Sequence, residues 1–231
     1  MGTDRSAGAV SENEAARLAE RVESRLRSAY GAATRSSLDP LDELVQTVLS
    51  QNTSDVNRDR AWANLRREYG SWEDVLAGGR ERLERTIRPA GLARQKSATI
   101  LRVLETVRED GAAGLDHLQG MSDEIALDYL TEIRGVGKKT AACVLCFALH
   151  RPVMPVDTHV LRLTRRLGLV PAGATAGRAH DRLNAVVPPE LRFSLHVQLI
   201  RHGRAICRAR RPDCARCGLS DLCPRIGLEG A

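Results

Sequence analysis

The chain has 231 residues, of which 42% are hydrophobic and only 3% aromatic, and its formal net charge is +6. Such a length allows one large domain or two smaller ones, and a core built mainly from Leu, Val, Ile and Ala favours helices over sheets. No apolar run approaches the ~18 residues of a membrane-spanning helix, so we expect no transmembrane helix. The basic excess indicates a polyanionic partner, nucleic acid before membrane.

Capping and helix-breaking residues divide the first half of the chain into helices. Residues 1–10 lack the apolar core of a signal peptide and are interpreted as a short flexible tail, so we expect a cytoplasmic protein with reduced cysteines. Ser11 and Glu14 form a capping box, and Asp39 followed by Pro40 begins a second helix. The helices predicted in this half are residues 11–30, 39–49, 55–69, 71–76, 80–87 and 93–110.

Capping and helix-breaking residues divide the second half of the chain in the same way. Ser122 caps a helix that Gly135-Val136-Gly137 interrupts, and Asp157 caps a helix that ends at Gly168. Since there is no convincing strand and no tandem repeat, the chain is predicted to be all-α, with ten to twelve helices. The helices predicted in this half begin at Ser122, Lys138, Asp157, Thr175 and Glu190.

The segment from Lys138 to about Leu149 is almost wholly apolar after its first residues, so it is predicted to be a helix that is buried on most sides. Cys143 and Cys146 lie three residues apart on it. We expect both to be buried packing residues rather than ligands.

A helix, a Gly-Val-Gly turn and a second helix form the pattern of a helix-hairpin-helix, an element that binds the DNA backbone. The glycines allow positive φ and close backbone approach. The N–H groups at the start of the second helix lack helical partners, and the helix dipole there favours phosphate. Such contacts hold the backbone and do not read sequence. The alternative is a turn in a helical core that binds no ligand.

Lys138 and Lys139 open the second helix of this hairpin, and the whole chain has only three lysines against 32 arginines. Lysine, unlike arginine, can lose its proton near neutral pH. A helix N-terminus, a neighbouring ammonium group and burial all lower the pKa of a lysine and favour an amine nucleophile. The alternative is that both lysines are phosphate-binding charges.

Asp157 follows in the segment Pro155-Val156-Asp157-Thr158-His159, at the start of a helix. As an N-cap its carboxylate would be held rigidly by backbone N–H groups and stay ionised. The alternative is that Asp157 is a cap and nothing more. His159 is interpreted as a packing or hydrogen-bonding residue.

Four cysteines lie within 17 residues with the spacing Cys-x6-Cys-x2-Cys-x5-Cys. Four thiolates can bind a [4Fe–4S] cluster or a tetrahedral zinc ion. Zinc sites more often use paired Cys-x2-Cys units, and only one such pair is present. Disulfides are a further alternative, which a reducing compartment disfavours. The four residues are Cys207, Cys214, Cys217 and Cys223.

Residues 134–160 resemble the active-site segment of the endonuclease III family of DNA glycosylases, in which a helix-hairpin-helix is followed by a loop and an aspartate. The resemblance extends over about residues 40–224 and includes the cysteine spacing. It implies that Lys139 is the nucleophile, that Asp157 assists it and that Lys138 is a basic, non-catalytic neighbour. Arg134 is a departure, because proline commonly precedes the turn in the family.

The same resemblance implies that the damaged nucleotide is flipped out of the duplex, and that a polar residue and an apolar wedge fill the gap. Asn52 stands where the family usually has glutamine, and the adjacent Gln51 could substitute for it. Leu92 is the matching wedge, with an ordinary core leucine as the alternative. The other residues expected to meet DNA are Gly135, Val136, Gly137, Lys138, Thr140, Arg208, Arg210 and Arg211.

The fold implied by the resemblance has two domains with the active-site cleft between them. One is a six-helix bundle and the other holds an iron–sulfur cluster. The expected boundaries are a flexible tail at 1–10, an N-terminal helix at 11–38 packing on the cluster domain, a six-helix domain with the hairpin at 39–150, and the rest of the cluster domain at 151–231. The four cysteines would bind a [4Fe–4S] cluster with a structural, DNA-positioning role.

The implied function is that of a bifunctional DNA glycosylase and AP lyase in base excision repair, acting on double-stranded DNA with damaged bases, oxidised pyrimidines above all, or abasic sites. We expect a monomer in the cytoplasm, associated with the nucleoid through DNA. Three alternatives stay open: a monofunctional mismatch glycosylase of the same superfamily, a catalytically weak DNA-binding paralogue, and an iron–sulfur electron carrier.

Overall fold

A computed structural model describes residues 11–35 and 37–228, and within these ranges every regular element is a helix and no strand is present. The all-α prediction is confirmed for the described part of the chain, while the tail predicted at residues 1–10 lies outside it. None of the described helices is long and apolar enough to cross a membrane.

Ten α-helices follow one another in the part of the chain that the structure describes. They are α1 (Glu12–Tyr30), α2 (Pro40–Ser50), α3 (Asp55–Glu68), α4 (Trp72–Thr86), α5 (Ala93–Glu109), α6 (Asp123–Glu132), α7 (Lys138–Cys143), α8 (Thr158–Arg166), α9 (Ala176–Val186) and α10 (Arg192–Ala205). Four short 3₁₀ turns lie at Arg88–Ala90, Asp116–Gly120, Pro189–Leu191 and Cys214–Arg216.

The helix starts predicted at Ser11 and Asp39 are confirmed by their caps. The Ser11 hydroxyl accepts a hydrogen bond from the Glu14 amide, and the Glu14 carboxylate accepts one from the Ser11 amide. Asp39 accepts from the amides of Leu41 and Asp42, each at 2.9 Å. Because a cap depends only on residues within one turn, the sequence suffices to predict it.

Three elements differ from the prediction. The two helices expected at 71–76 and 80–87 form one element, α4, with a break at Gly79, whose φ is 71°. The apolar helix after Lys138 changes at Val144–Ala148 into a π-helical turn. The turn at Asp116–Gly120 was not predicted, since so short a turn has no hydrophobic period for the sequence to show.

The chain divides into two compact units: Met1–Thr34 with Pro152–Ala231, and Arg35–Arg151. In the first unit α1 packs on α10, and α10 also contacts α8. One face of α1 is fully enclosed, with Ala15, Ala19 and Val22 inaccessible to solvent. Burying such an amphipathic stripe is what stabilises a helix of this kind in the fold.

In the second unit α2 lies at the centre, in contact with α3, α5, α7 and the π-helical turn. Leu44, Val45, Val48 and Leu49 of α2 are all fully buried. A helix enclosed on this many sides has little freedom to shift, so the residues that follow its end are held at a defined place beside the hairpin.

Candidate active site

The hairpin turn joins α6 to α7 within the second unit. The Val136 amide donates to the Ile133 carbonyl at 2.9 Å, and Gly137 caps α7 by accepting from the Ala141 amide at 3.0 Å. Gly135 has φ of 106°, whereas Gly137 has an ordinary φ of −94°. Gly135 is therefore the residue of the turn whose positive φ favours glycine, and Gly137 has a backbone conformation that other residues also adopt. Val136 is buried and anchors the turn, whereas Gly135 and Gly137 on either side of it are exposed.

Lys138 and Lys139 are the first two residues of α7. Lys138 is exposed and Lys139 is half-buried, and the helix is buried from Thr140 onward. The backbone that carries Lys139 is thus fixed by the core on its C-terminal side. Its position in the first turn places the amine near a helix N-terminus, where a second positive charge is disfavoured.

A hydrogen bond joins the segment after α2 to the second helix of the hairpin. The Gln51 side-chain amide donates to the Thr140 hydroxyl at 3.3 Å, and Thr140 is buried. Asn52 is exposed, with a left-handed φ of 50°, a conformation in which asparagine is enriched. Gln51 therefore braces the segment against α7, and Asn52 presents its side chain to the surface.

Leu92 lies between the 3₁₀ turn Arg88–Ala90 and α5, and 49% of it is exposed. It also has a left-handed backbone, with φ of 47° directly after Gly91 at 68°. A bulky residue in this region is a genuine outlier, and such outliers collect at functional sites. The alternative that Leu92 is an ordinary core leucine is wrong.

Lys96 was not singled out by the sequence analysis, and its side chain is buried between these two segments. Its ammonium group donates to the carbonyls of Leu49 and Ala90, both at 2.8 Å. Burial lowers the pKa of Lys96 to about 8. The available signal was compositional: Lys96 is the third lysine in a chain that otherwise uses arginine.

Asp157 belongs to the first unit and is the N-cap of α8, where its Oδ1 accepts from the Val160 amide at 2.8 Å. The segment before it is pinned at two points. The Met154 amide donates to Asn184 Oδ1 at 2.8 Å, and the Pro155 carbonyl lies 2.8 Å from His196 Nδ1. The predicted cap is confirmed, and the carboxylate is held on a rigid stretch of backbone.

His159 lies two residues further along, with its Nδ1 3.0 Å from an Arg162 guanidinium nitrogen. A guanidinium can only donate, so Nδ1 accepts and a neutral ring carries its proton on Nε2. Burial, the main cause, lowers the pKa of His159, which favours that neutral form. The histidine thus has the hydrogen-bonding role expected from the sequence.

The four spaced cysteines line one cavity of the first unit, together with Arg166 and Ile206. An Arg166 guanidinium nitrogen donates to Cys207 Sγ at 3.1 Å, and His202 Nε2 lies 3.4 Å from Cys217 Sγ. Burial, reinforced by the neighbouring cysteines, raises the pKa of Cys223. Four thiolates in one cavity therefore need a compensating positive charge.

Within the described ranges, no group of three His, Cys, Asp or Glu side chains has the spacing for a single metal ion. The four cysteines nevertheless fit a [4Fe–4S] cluster, because they share one cavity and the Arg166 guanidinium donates to the Cys207 sulfur. Cys143 and Cys146 are buried in the other unit, where burial raises the pKa of Cys146 to about 12. They are packing residues, as predicted.

Arg208, Arg210 and Arg211 are exposed on the loop after Cys207. Arg166, itself buried, holds this loop by donating to the carbonyls of Arg208 at 2.8 Å and Ala209 at 3.1 Å. Arg162 donates to the Cys207 carbonyl at 3.0 Å. Arg162 and Arg166 lie four residues apart on α8, and this spacing by itself does not predict their contacts with the loop after Cys207.

The chain is similar in sequence to known DNA-repair proteins. The family model described as HhH-GPD superfamily base excision DNA repair protein matches residues 45–189. Endonuclease III of Escherichia coli (strain K12) is 31% identical over 211 residues, which cover 91% of this chain and 96% of that protein. A protein of Arabidopsis thaliana provisionally named a DNA glycosylase is 37% identical over 192 residues, covering 81% of this chain and 66% of that protein.

Among solved structures, the chain is similar to a trapped covalent intermediate of endonuclease III with DNA. The TM-score is 0.78 with 27% sequence identity, and the match covers 94% of this chain and 97% of that one. The resemblance to the endonuclease III family is thereby confirmed. The chain belongs to the HhH-GPD superfamily of base excision DNA repair proteins and is a DNA glycosylase of that superfamily.

Proposed function

We propose that this protein is a bifunctional DNA glycosylase and AP lyase that removes damaged bases, chiefly oxidised pyrimidines, from double-stranded DNA. The observation that carries the proposal is Lys139, an amine in the first turn of α7, on backbone fixed by the buried residues that follow it. Lysine supplies the nucleophile for a covalent route that arginine cannot. We propose that it acts as a monomer in the cytoplasm, associated with the nucleoid.

In the proposed reaction the neutral Lys139 amine attacks C1′ of a flipped nucleotide, and the C1′–N bond breaks as the base leaves with the electron pair and takes up a proton. The attached amine loses a proton. Its lone pair then forms the C1′=N bond as the C1′–O4′ bond breaks and O4′ takes up a proton, which leaves a protonated Schiff base on the opened sugar. Loss of a C2′ proton then expels the 3′ phosphate, which cuts the strand. Water hydrolyses the Schiff base and regenerates the lysine.

Asp157 is the proposed partner of this step. Its carboxylate is fixed at the start of α8 by the Val160 amide, so it can take the lysine proton or stabilise positive charge on the sugar without a change of position. A rigid carboxylate is preferable to a mobile one here, because no energy is spent on orienting it during the reaction.

The DNA contacts are proposed for three sets of residues. The exposed residues Gly135, Gly137 and Lys138 would hold phosphates. Asn52 and Leu92 would fill the gap left by the flipped base, since both are exposed on left-handed turns. Gln51, Val136 and Thr140 are half-buried or buried and would support these contacts from behind.

A [4Fe–4S] cluster bound by Cys207, Cys214, Cys217 and Cys223 is proposed as the cofactor. When bound, it would supply rigid cross-links within a short loop rather than a step of the reaction. Arg166 holds the same loop from the side of α8. The cluster and Arg166 together would present Arg208, Arg210 and Arg211 to the phosphate backbone.

Borohydride trapping on DNA with an abasic site tests the proposal, because reduction makes a Schiff base permanent. Wild type and Lys138→Ala are expected to give a covalent adduct, and Lys139→Ala none. Lys138 is the matched control, since it is the adjacent residue with the same charge. An adduct formed equally well by Lys139→Ala would disprove the nucleophile, and base removal without any adduct would make the protein a monofunctional glycosylase.

A further inference from the structure

Lys96 is buried in the second unit with only 2% of its surface exposed. Removing an ammonium group from water is costly unless its protons find acceptors. Here they find two backbone carbonyls, those of Leu49 and Ala90, each 2.8 Å from Nζ. An apolar residue at this position would avoid the free-energy cost of burying an ammonium group. The presence of lysine is therefore explained by what its two hydrogen bonds hold together.

The two carbonyls come from separate parts of the chain. Leu49 is the penultimate residue of α2, where the last carbonyls lack helical partners, and Gln51 and Asn52 follow it. Ala90 ends a 3₁₀ turn, and Gly91 and Leu92 follow it. One ammonium group therefore binds the backbone at the start of both segments, the one that leads to Asn52 and the one that leads to Leu92.

Lys96 also holds the second segment through its backbone, because its amide donates to the Leu92 carbonyl at 3.0 Å. Asn52 and Leu92 are both in the left-handed region, and Leu92 is half exposed, so packing of its own side chain does not account for that conformation. Unfavourable backbone conformations persist only where the surroundings determine them, and Lys96 supplies such a constraint.

We propose that Lys96 is a positioning residue that sets the spacing between the Gln51–Asn52 segment and the Gly91–Leu92 turn, so that both tips enter the gap of a flipped nucleotide as one unit. The proposal rests on the proposed function, because that gap exists only when a base has been flipped out. Lys96 touches neither the sugar nor the base in this role. Its effect passes through the two segments that it joins.

The test compares Lys96→Met, which keeps the length of the side chain and removes its donors, with Lys96→Gln, which keeps uncharged N–H donors. Val103→Ala is the matched control, because Val103 is fully buried on the same helix two turns away and has no polar side-chain atom. It weakens the core two helical turns away from Lys96 and removes no hydrogen-bond donor. Lys96→Gln keeps the test decisive if Lys96→Met does not fold.

The first measurement is amide hydrogen exchange in the free proteins. Lys96→Met is expected to reduce protection about tenfold in both segments, the equivalent of one lost hydrogen bond to a charged group. Lys96→Gln is expected to restore part of this protection. Val103→Ala is expected to leave the protection of the two segments, relative to that of the rest of the second unit, as it is in the wild type. Unaltered protection in Lys96→Met would show that Lys96 does not hold the two segments together.

The second measurement is the fluorescence of 2-aminopurine placed opposite an abasic-site analogue in a duplex. We expect wild type and Val103→Ala to raise it equally and Lys96→Met to raise it about tenfold less, with affinity for undamaged duplex unchanged. An equal rise in Lys96→Met would overturn the positioning role. No rise in fluorescence with the wild type would overturn the proposed function instead. The hydrogen-exchange result would still show whether Lys96 holds the two segments together.

Discussion

Thr99 on α5 lies directly against the Cα of Gly135 in the hairpin turn. A methyl group placed on Gly135 would come within 3.2 Å of the Thr99 Cβ and 3.0 Å of its Cγ2, with Oγ1 nearer still. Arg102, one turn further along α5, donates to the Arg134 carbonyl. The middle of α5 thus holds the hairpin turn, while Lys96 near its start holds the segments of Asn52 and Leu92.

Gly135→Ala is expected to lower the free energy of unfolding by about 2–4 kcal/mol, because it combines positive φ with a steric clash against a buried threonine. Gly137→Ala is the control. Nothing lies within 4 Å of a methyl group there and φ is −94°, so the loss should be about 1 kcal/mol or less. Urea denaturation of both variants measures the difference, and equal losses would contradict the account.

Asp157→Asn separates the capping role of Asp157 from its proposed chemical role. Asparagine caps helices as well as aspartate does, so the free energy of unfolding should change by less than about 1 kcal/mol. Loss of the carboxylate should slow single-turnover base removal by about 10²–10⁴-fold. Asp157→Ala should lose both stability and rate. A wild-type rate in Asp157→Asn would reduce Asp157 to a cap.

The cysteine assignment predicts different outcomes for two groups of cysteines. Cys217→Ala should lose iron and the absorbance near ~400 nm that a protein with about four irons per chain would have. Cys146→Ala should keep both and lose only about 1–2 kcal/mol of stability, since it leaves a small cavity in the core. Iron analysis and visible spectra decide this. Stoichiometric zinc in the wild type would disprove the cluster.

The lowered pKa of Lys96 predicts that the free energy of unfolding depends on pH. Its pKa is about 8 in the folded protein because of burial and near ~10.4 in an unfolded chain. Between these values the unfolded state binds more protons, so the Lys96 contribution makes the free energy of unfolding rise with pH. Lys96→Met should lack this part of the rise. Urea titrations of both proteins from neutral to alkaline pH measure it, and parallel curves would exclude the predicted contribution.

Much of the fold was predictable because its signals are local. Caps such as Ser11 and Asp157, and the Gly-Val-Gly turn, act on residues within one helical turn. The cysteine spacing and the scarcity of lysine are likewise visible in the chain itself. These features were enough to indicate an all-α protein, a hairpin and a candidate nucleophile.

Other features depend on contacts between distant residues, which local patterns do not contain. Lys96 bonds to Leu49 across 47 positions of the chain, and Arg166 bonds to the Cys207 sulfur across 41. The exposure of Leu92 and the fit of Thr99 against Gly135 arise only when α5 has packed in place. Residue types and their spacing are enough to show which side chains can do chemistry. Which of them are held in position depends on tertiary packing, because burial and long-range hydrogen bonds exist only in the folded chain.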